Sequence, residues 1–172
     1  KEIFNALQLG IEAFNCESLQ EIIVINEMAH THGLKARVTV RINPDIDAHT
    51  HKYVTTGLYE NKFGISQHEF DKLIDILKKS ENIEFYGLHF HIGSQITRVE
   101  EVFALECQRV NEIVAYFERQ GLKVDNINLG GGLGVDYDDP DENPIADFEG
   151  WFRTIDENIA RREDQTVHVE PG

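Results

Sequence analysis

Basic side chains are scarce in this chain. Sixteen Lys and Arg stand against 31 Asp and Glu, for a net charge of −15. Such a surface repels polyanions, so nucleic acid and anionic membrane are excluded as expected partners. Cysteine is scarcer still. Cys16 and Cys107 show no metal or redox spacing, and free thiols of this kind suit a reducing cytosol. No apolar run approaches the roughly 20 residues of a membrane span, and no signal-peptide pattern is present. A cytoplasmic globular protein is expected. The 172 residues, 41% hydrophobic, suffice for one domain with a sizeable core. Both ends read as cuts: Lys1 opens on the tail of a helix closed by Gly10, and the chain stops at Gly172 as a strand finishes. A fragment of a longer protein is expected.

What is present is alternation. Residues 11–15 predict a short strand. Residues 17–32 predict a helix, apolar at Leu19, Ile22, Ile23 and Met28 and stopped by Gly33. Residues 36–42 are a β-branched run closed by Asn43-Pro44. Residues 45–64 lack periodicity and read as a functional lid or a disordered segment. Ser66-Gln67-His68-Glu69 matches a capping box ahead of a helix burying Phe70, Leu73, Ile74 and Leu77. A strand over 84–92 precedes a long helix over 99–120, apolar at Val102, Phe103, Leu105, Val110, Ile113, Val114 and Phe117. Residues 124–129 form a strand and 136–144 an acidic loop. Asp147 is expected to cap a last helix burying Phe148, Trp151, Phe152, Ile155 and Ile159. The final strand is 166–170.

Strict alternation of strand and helix implies a parallel sheet. The chemistry-bearing segments all follow strands: Asn43-Pro44, His91-Ile92-Gly93-Ser94, the glycine run at 130–134 and Glu170-Pro171-Gly172. Barrels gather such residues on one face from several strands, whereas an open sheet concentrates them at one switch point. The expected fold is therefore α/β, a partial (β/α)8 TIM barrel with about five of its eight strands.

Asn128-Leu129-Gly130-Gly131-Gly132-Leu133-Gly134 follows an apolar strand. Glycine lets backbone approach a ligand closely, and consecutive free N–H groups make an anion-binding concavity. The run is either a phosphate cradle or a tight strand-to-helix turn. A dinucleotide fingerprint fails on spacing, because Val135 and Tyr137 stand where the third glycine belongs. His89 and His91, two apart in a predicted strand, share one face. They could bind zinc, but no convincing third ligand ends a neighbouring strand and no metal is expected. One could instead be a buried hydrogen-bonded histidine, or His91 could stack on an aromatic ligand. Glu170 is either a surface acid or a partner for a cationic ring nitrogen. A phosphate, a stacked ring and a carboxylate on its nitrogen together describe pyridoxal 5'-phosphate.

Five segments then carry a resemblance: Val40-Arg41-Ile42-Asn43-Pro44-Asp45, Glu60-Asn61-Lys62-Phe63-Gly64-Ile65, Gly87-Leu88-His89-Phe90-His91-Ile92-Gly93-Ser94-Gln95, the glycine run, and Glu170-Pro171-Gly172. In this order they resemble the barrel-type pyridoxal-phosphate decarboxylases, and within them the diaminopimelate decarboxylase family. The resemblance implies decarboxylation of an amino-acid substrate, with relatives acting on carboxynorspermidine, arginine or ornithine as alternatives. It implies that His91 stacks on the cofactor ring and that Glu170 keeps the pyridinium protonated. Ser94, Gly130, Gly131, Gly132 and Gly172, beside Pro171, would bind the phosphate, and the 45–64 loop would lie over the site. The lysine that forms the Schiff base would precede residue 1, so no catalytic residue is expected within the chain. A C-terminal β-domain beyond Gly172 would complete a homodimer with shared active sites. Rival readings are a metal-dependent hydrolase and a non-catalytic pyridoxal-phosphate barrel.

Overall fold

A computed structural model describes residues 1–47, 52–53, 63–142 and 146–171. Helix α1 (Glu2–Leu9) leads to β1 (Phe14–Cys16), α2 (Leu19–Thr31) and β2 (Ala36–Arg41). A short antiparallel pair, β3 (Ile46–Asp47) with β4 (Lys52–Tyr53), follows. Then come α3 (Phe70–Lys79), β5 (Ile83–His89), α4 (Val99–Arg119), β6 (Asn126–Asn128), α5 (Phe148–Asn158) and β7 (Thr166–His168). The long strands form one parallel sheet in the order β1-β2-β5-β6-β7. Each crossover steps one place in the same direction. A doubly wound sheet would reverse at a switch point; this arc winds as a (β/α) barrel does.

Side chains alternate across a strand. Val38, Val40, Leu88 and Ile127 therefore share one face, where they join buried residues of the helices such as Ile22, Leu73, Val110 and Phe117 in a single core. The other face is polar. The register sets Arg41 beside His89, His89 beside Asn128 and Asn128 beside His168, a row across the C-terminal ends of four strands. That row depends on an irregularity in β5. Val38 pairs with Phe85 but Thr39 pairs with Gly87, so Tyr86 is an extra residue. Gly87 is required there, since a Cβ would stand 2.0 Å from the Asn126 carbonyl oxygen.

Several local expectations are corrected. The expected capping box at Ser66 does not form. Residues Gln67–Glu69 make a 3₁₀ turn instead, and the Glu69 N–H donates to the Ser66 carbonyl (3.0 Å), which leaves no donor for the Ser66 side chain. A similar arrangement occurs at α2. The Ser18 hydroxyl accepts from Glu21 N–H (3.2 Å), and the Glu21 carboxylate accepts from Glu17 N–H (2.8 Å). Asp147 does cap α5, accepting from Gly150 N–H at 2.8 Å. On that helix only one edge of the apolar stripe is covered. Trp151 and Ile155 are buried, and Trp151 packs on Phe103 of α4. Phe148 and Phe152, expected inside, remain 46% and 51% exposed.

Glu106 lies among the apolar positions of α4 and is fully buried, and neither carboxyl oxygen finds a hydrogen-bond partner among the described residues. Burial holds its pKa well above the ordinary carboxylate range. The folded chain thus keeps a proton that the unfolded chain releases once pH exceeds the ordinary glutamate value. Stability from this group falls as pH rises through that window. Glu106→Gln is expected to raise Tm at pH 8 more than at pH 5. Glu106→Met, which removes the unpaired oxygens at similar volume, should stabilise by about 1–2 kcal/mol at neutral pH, measured by denaturant unfolding of the full-length protein.

Candidate functional site

The C-terminal rim of the sheet is built from the tails of β5, β6 and β7. β6 ends at Asn128, and the glycine run leaves it wedged between its neighbours. A Cβ on Gly130 would lie 2.4 Å from the Phe90 carbonyl oxygen and 3.1 Å from His91 Nδ1. One on Gly131 would lie 2.0 Å from the Glu170 carbonyl oxygen, and one on Gly132 2.1 Å from that of Gly93. These distances are far below van der Waals contact, so no other residue fits without shifting backbone. Gly132 also has φ 102, a conformation that glycine adopts freely. The pairing continues past the strands, with Glu170 N–H donating to the Gly130 carbonyl at 2.7 Å.

Asn128 organises this rim. Its Oδ1 accepts from Gly130 N–H (2.8 Å), and its Nδ2 donates to Glu170 Oε1 (2.7 Å). One side chain thereby sets both the turn into the glycine run and the direction of the carboxylate. The second oxygen of Glu170 lies 3.7 Å from His89 Nε2, too long for a hydrogen bond. His89 is buried, and neither ring nitrogen has a hydrogen-bond partner among the described residues. Burial lowers its pKa, Arg41 and His91 add to the effect, and the Glu170 carboxylate opposes it. A neutral imidazole supplies no charge to its neighbour. The Glu170 side chain is 50% exposed and, among the described residues, carries no ion pair with lysine or arginine. Its carboxylate remains open to a cationic group at the mouth.

Arg41, the remaining cation in the row, is already engaged. It pairs with Glu17, whose other carboxylate oxygen accepts from Gly64 N–H at 3.1 Å. Its guanidinium lies 5.3 Å from the centre of the half-exposed Phe63 ring. Glu17 thus ties the ends of β1 and β2 to the segment entering α3.

Of the residues expected at the site, His91, Gly130, Gly131, Gly132 and Glu170 converge on this rim. The strand stops at His89, so His91 lies two residues beyond it rather than within the strand as expected. Ser94 is exposed on the loop after β5, and Pro171 is exposed beyond Glu170. Gly172 lies outside the described residues, as do most of the 45–64 loop and Pro144. Among the described residues no group of three or more His, Cys, Asp or Glu could hold a metal ion. Also among them, no helix is long and apolar enough to cross a membrane. Asn128 and Glu17 were missed by sequence reasoning. A polar residue closing an apolar strand just before glycines was the available signal for Asn128; nothing local marked Glu17.

Fold and rim together define a class: barrel proteins that hold an anionic cofactor at the C-terminal ends of their strands. The chain belongs to the pyridoxal-dependent decarboxylases, since the model of that family's pyridoxal binding domain matches residues 1–172. It is 47% identical over 171 residues to a diaminopimelate decarboxylase of Bacteroides thetaiotaomicron, covering 99% of this chain and 44% of that relative. Among solved structures, diaminopimelate decarboxylase from Helicobacter pylori complexed with L-lysine superposes with a TM-score of 0.76 at 37% identity, over 99% of this chain and 42% of that one. The M. jannaschii enzyme in co-complex with L-lysine gives 0.78 at 32% identity, over 99% and 40%. The chain thus spans less than half the length of these relatives. Its rim suits pyridoxal phosphate chemically, offering glycine backbone for an anion and an uncompensated carboxylate for a cationic ring nitrogen.

Gly131→Ala is expected to destabilise the full-length protein by about 1–3 kcal/mol, because the added carbon must displace the Glu170 backbone, and to lower its cofactor content. Gly121→Ala, at φ 83 with nothing within 4 Å, should cost about 1–2 kcal/mol through conformation alone and leave cofactor content unchanged. Thermal melts and absorbance of the bound cofactor separate the two effects.

Proposed function

We propose that this chain is the cofactor-binding part of a diaminopimelate decarboxylase, which converts meso-2,6-diaminopimelate to L-lysine and carbon dioxide. The observation that carries the reading is Glu170, its carboxylate aimed by Asn128, half exposed and uncompensated beside the glycine run. The names of the relatives and the L-lysine in two solved homologues support the choice of substrate. When bound, pyridoxal phosphate supplies an electron sink for the carbanion left as carbon dioxide departs. In this reading Glu170 holds a proton on the ring nitrogen, because an opposite charge within reach favours the protonated form. His91 lies against the ring. Ser94 and the backbone N–H groups of Gly131 and Gly132, with Gly172 beside Pro171, bind the phosphate, while Gly130, whose N–H donates to Asn128, lets the turn come close to it.

The domain reading is part of the same proposal. Residues 1–172 would be one central stretch of a barrel, with the lysine that reacts with the cofactor ahead of residue 1. A following β-domain would close a homodimer that shares its active sites, and the enzyme would work in the cytoplasm. Carbon dioxide release by the full-length protein from meso-diaminopimelate, but not from ornithine, arginine or carboxynorspermidine, is the expected outcome. Release from one of those instead would reassign the substrate, and release from none would leave a non-catalytic cofactor-binding barrel.

Glu170→Gln tests the site. Glutamine keeps a hydrogen-bonding group but removes the charge, while the phosphate contacts are untouched. The expected loss is on the order of 10²-fold in kcat, about 2.7 kcal/mol of barrier, with little change in cofactor dissociation. A normal kcat, or a defect confined to lost cofactor, would remove Glu170 from this role.

A further inference from the structure

The loops after β5 and β6 are stitched together twice. Their backbones form a short parallel bridge between Ile96 and Leu133, in which Ile96 N–H donates to the Gly132 carbonyl (2.9 Å) and Gly134 N–H donates to the Ile96 carbonyl (3.0 Å). Beside it the Gln95 side chain extends the ladder. Its Nε2 donates to the Val135 carbonyl (2.9 Å), and its Oε1 accepts from Val135 N–H (2.8 Å). A side-chain amide thus pairs with the backbone of one residue as an adjacent strand would. Gln95 adopts this with φ 56, a left-handed conformation that glutamine rarely takes. Such strain persists only where the surroundings over-determine it.

Both hydrogen bonds are exposed to solvent, where their net contribution to global stability is small. Their consequence is local. Ser94 precedes Gln95 on one loop, and Gly130 to Gly132 lie on the other. We propose that Gln95 is a positioning residue for the cofactor phosphate: it clamps the Ser94 loop to the glycine loop, so that donors from two separate strands converge on one anion. The inference rests on the reading above in which Ser94 and the glycines bind that phosphate. Without the clamp only the Ile96–Leu133 bridge joins the two loops, the Ser94 end gains freedom, and binding must order it.

The test uses the full-length apoenzyme and pyridoxal phosphate. Gln95→Asn retains the amide and tolerates positive φ better than glutamine, but is one carbon too short to span to Val135. Gln95→Glu keeps the length and sets a carboxylate oxygen against the Val135 carbonyl. Both are expected to raise the cofactor Kd on the order of tenfold, the scale of ordering one or two further side chains on binding. Both should also broaden the ³¹P resonance of the bound cofactor. The kcat of the cofactor-saturated enzyme should stay within about twofold and apoenzyme Tm within about 2 °C, since neither chemistry nor core is touched. Ser94→Ala is measured alongside. If it raises Kd and the Gln95 variants do not, the clamp is refuted while the phosphate reading stands. If Ser94→Ala leaves Kd and the ³¹P resonance unchanged, the serine contact fails, and a rise confined to the Gln95 variants still supports a clamp acting on the glycine loop. Unchanged Kd in every variant overturns both. A fall in kcat at saturating cofactor with Kd unchanged also overturns the inference.

Discussion

The carbonyl oxygens of Phe90, Gly93 and Glu170 press so closely on the run from Gly130 to Gly132 that a single added methyl group at any of these three glycines would collide with one of them. This close approach of three backbone segments holds together the ends of β5, β6 and β7. It permits the 2.7 Å hydrogen bond from Glu170 N–H to Gly130. It also leaves Asn128 near enough to bond Gly130 on one side and the Glu170 carboxylate on the other. The glycines therefore act twice. They let the strand ends pack, and they present backbone where a larger residue would stand in the way.

Charge is distributed around this frame so that one group stays uncompensated. Arg41 is neutralised by Glu17 at the ends of β2 and β1. His89 is kept from protonating chiefly by burial. Glu170 is left with an amide on one oxygen and a neutral ring near the other. A carboxylate in such a setting attracts a cation from the mouth, and a protonated pyridine nitrogen answers that description. The same row of residues explains why the polar face of the sheet carries chemistry while the opposite face, at Val38, Val40, Leu88 and Ile127, is buried in the core.

Much of the fold was legible because its signals are periodic and local. Helices α2 to α5 and the five long strands appear where apolar spacing and glycine or proline stops predict them, apart from a residue or more at their ends. The errors have physical causes. A tight 3₁₀ turn consumed the backbone donor that a capping box at Ser66 requires. Phe148 and Phe152 sit on the edge of an apolar stripe that α4 covers only in part. Glu106 reads as a solvated position in a helix and is buried nonetheless. At the rim, His91, the glycines and Glu170 could be singled out because each residue type announces a chemistry by itself. Gln95 could not, because its partner Val135 stands 40 residues away, and the polar close of an apolar strand marked Asn128 without revealing its partner Glu170, 42 residues away.

By itself the sequence determined the alternation of strand and helix, the parallel sheet and the confinement of reactive residues to strand ends. These follow from side-chain periodicity and from the conformational freedom of glycine, which act over a few neighbouring positions. Tertiary structure alone decided which strand ends meet, through the register that aligns Arg41, His89, Asn128 and His168. It alone decided that Glu17 would neutralise Arg41 and that Gln95 would bind the backbone of Val135. Such pairings depend on distances across the sheet rather than along the chain, and hydrogen bonds and ion pairs act only over those few ångströms.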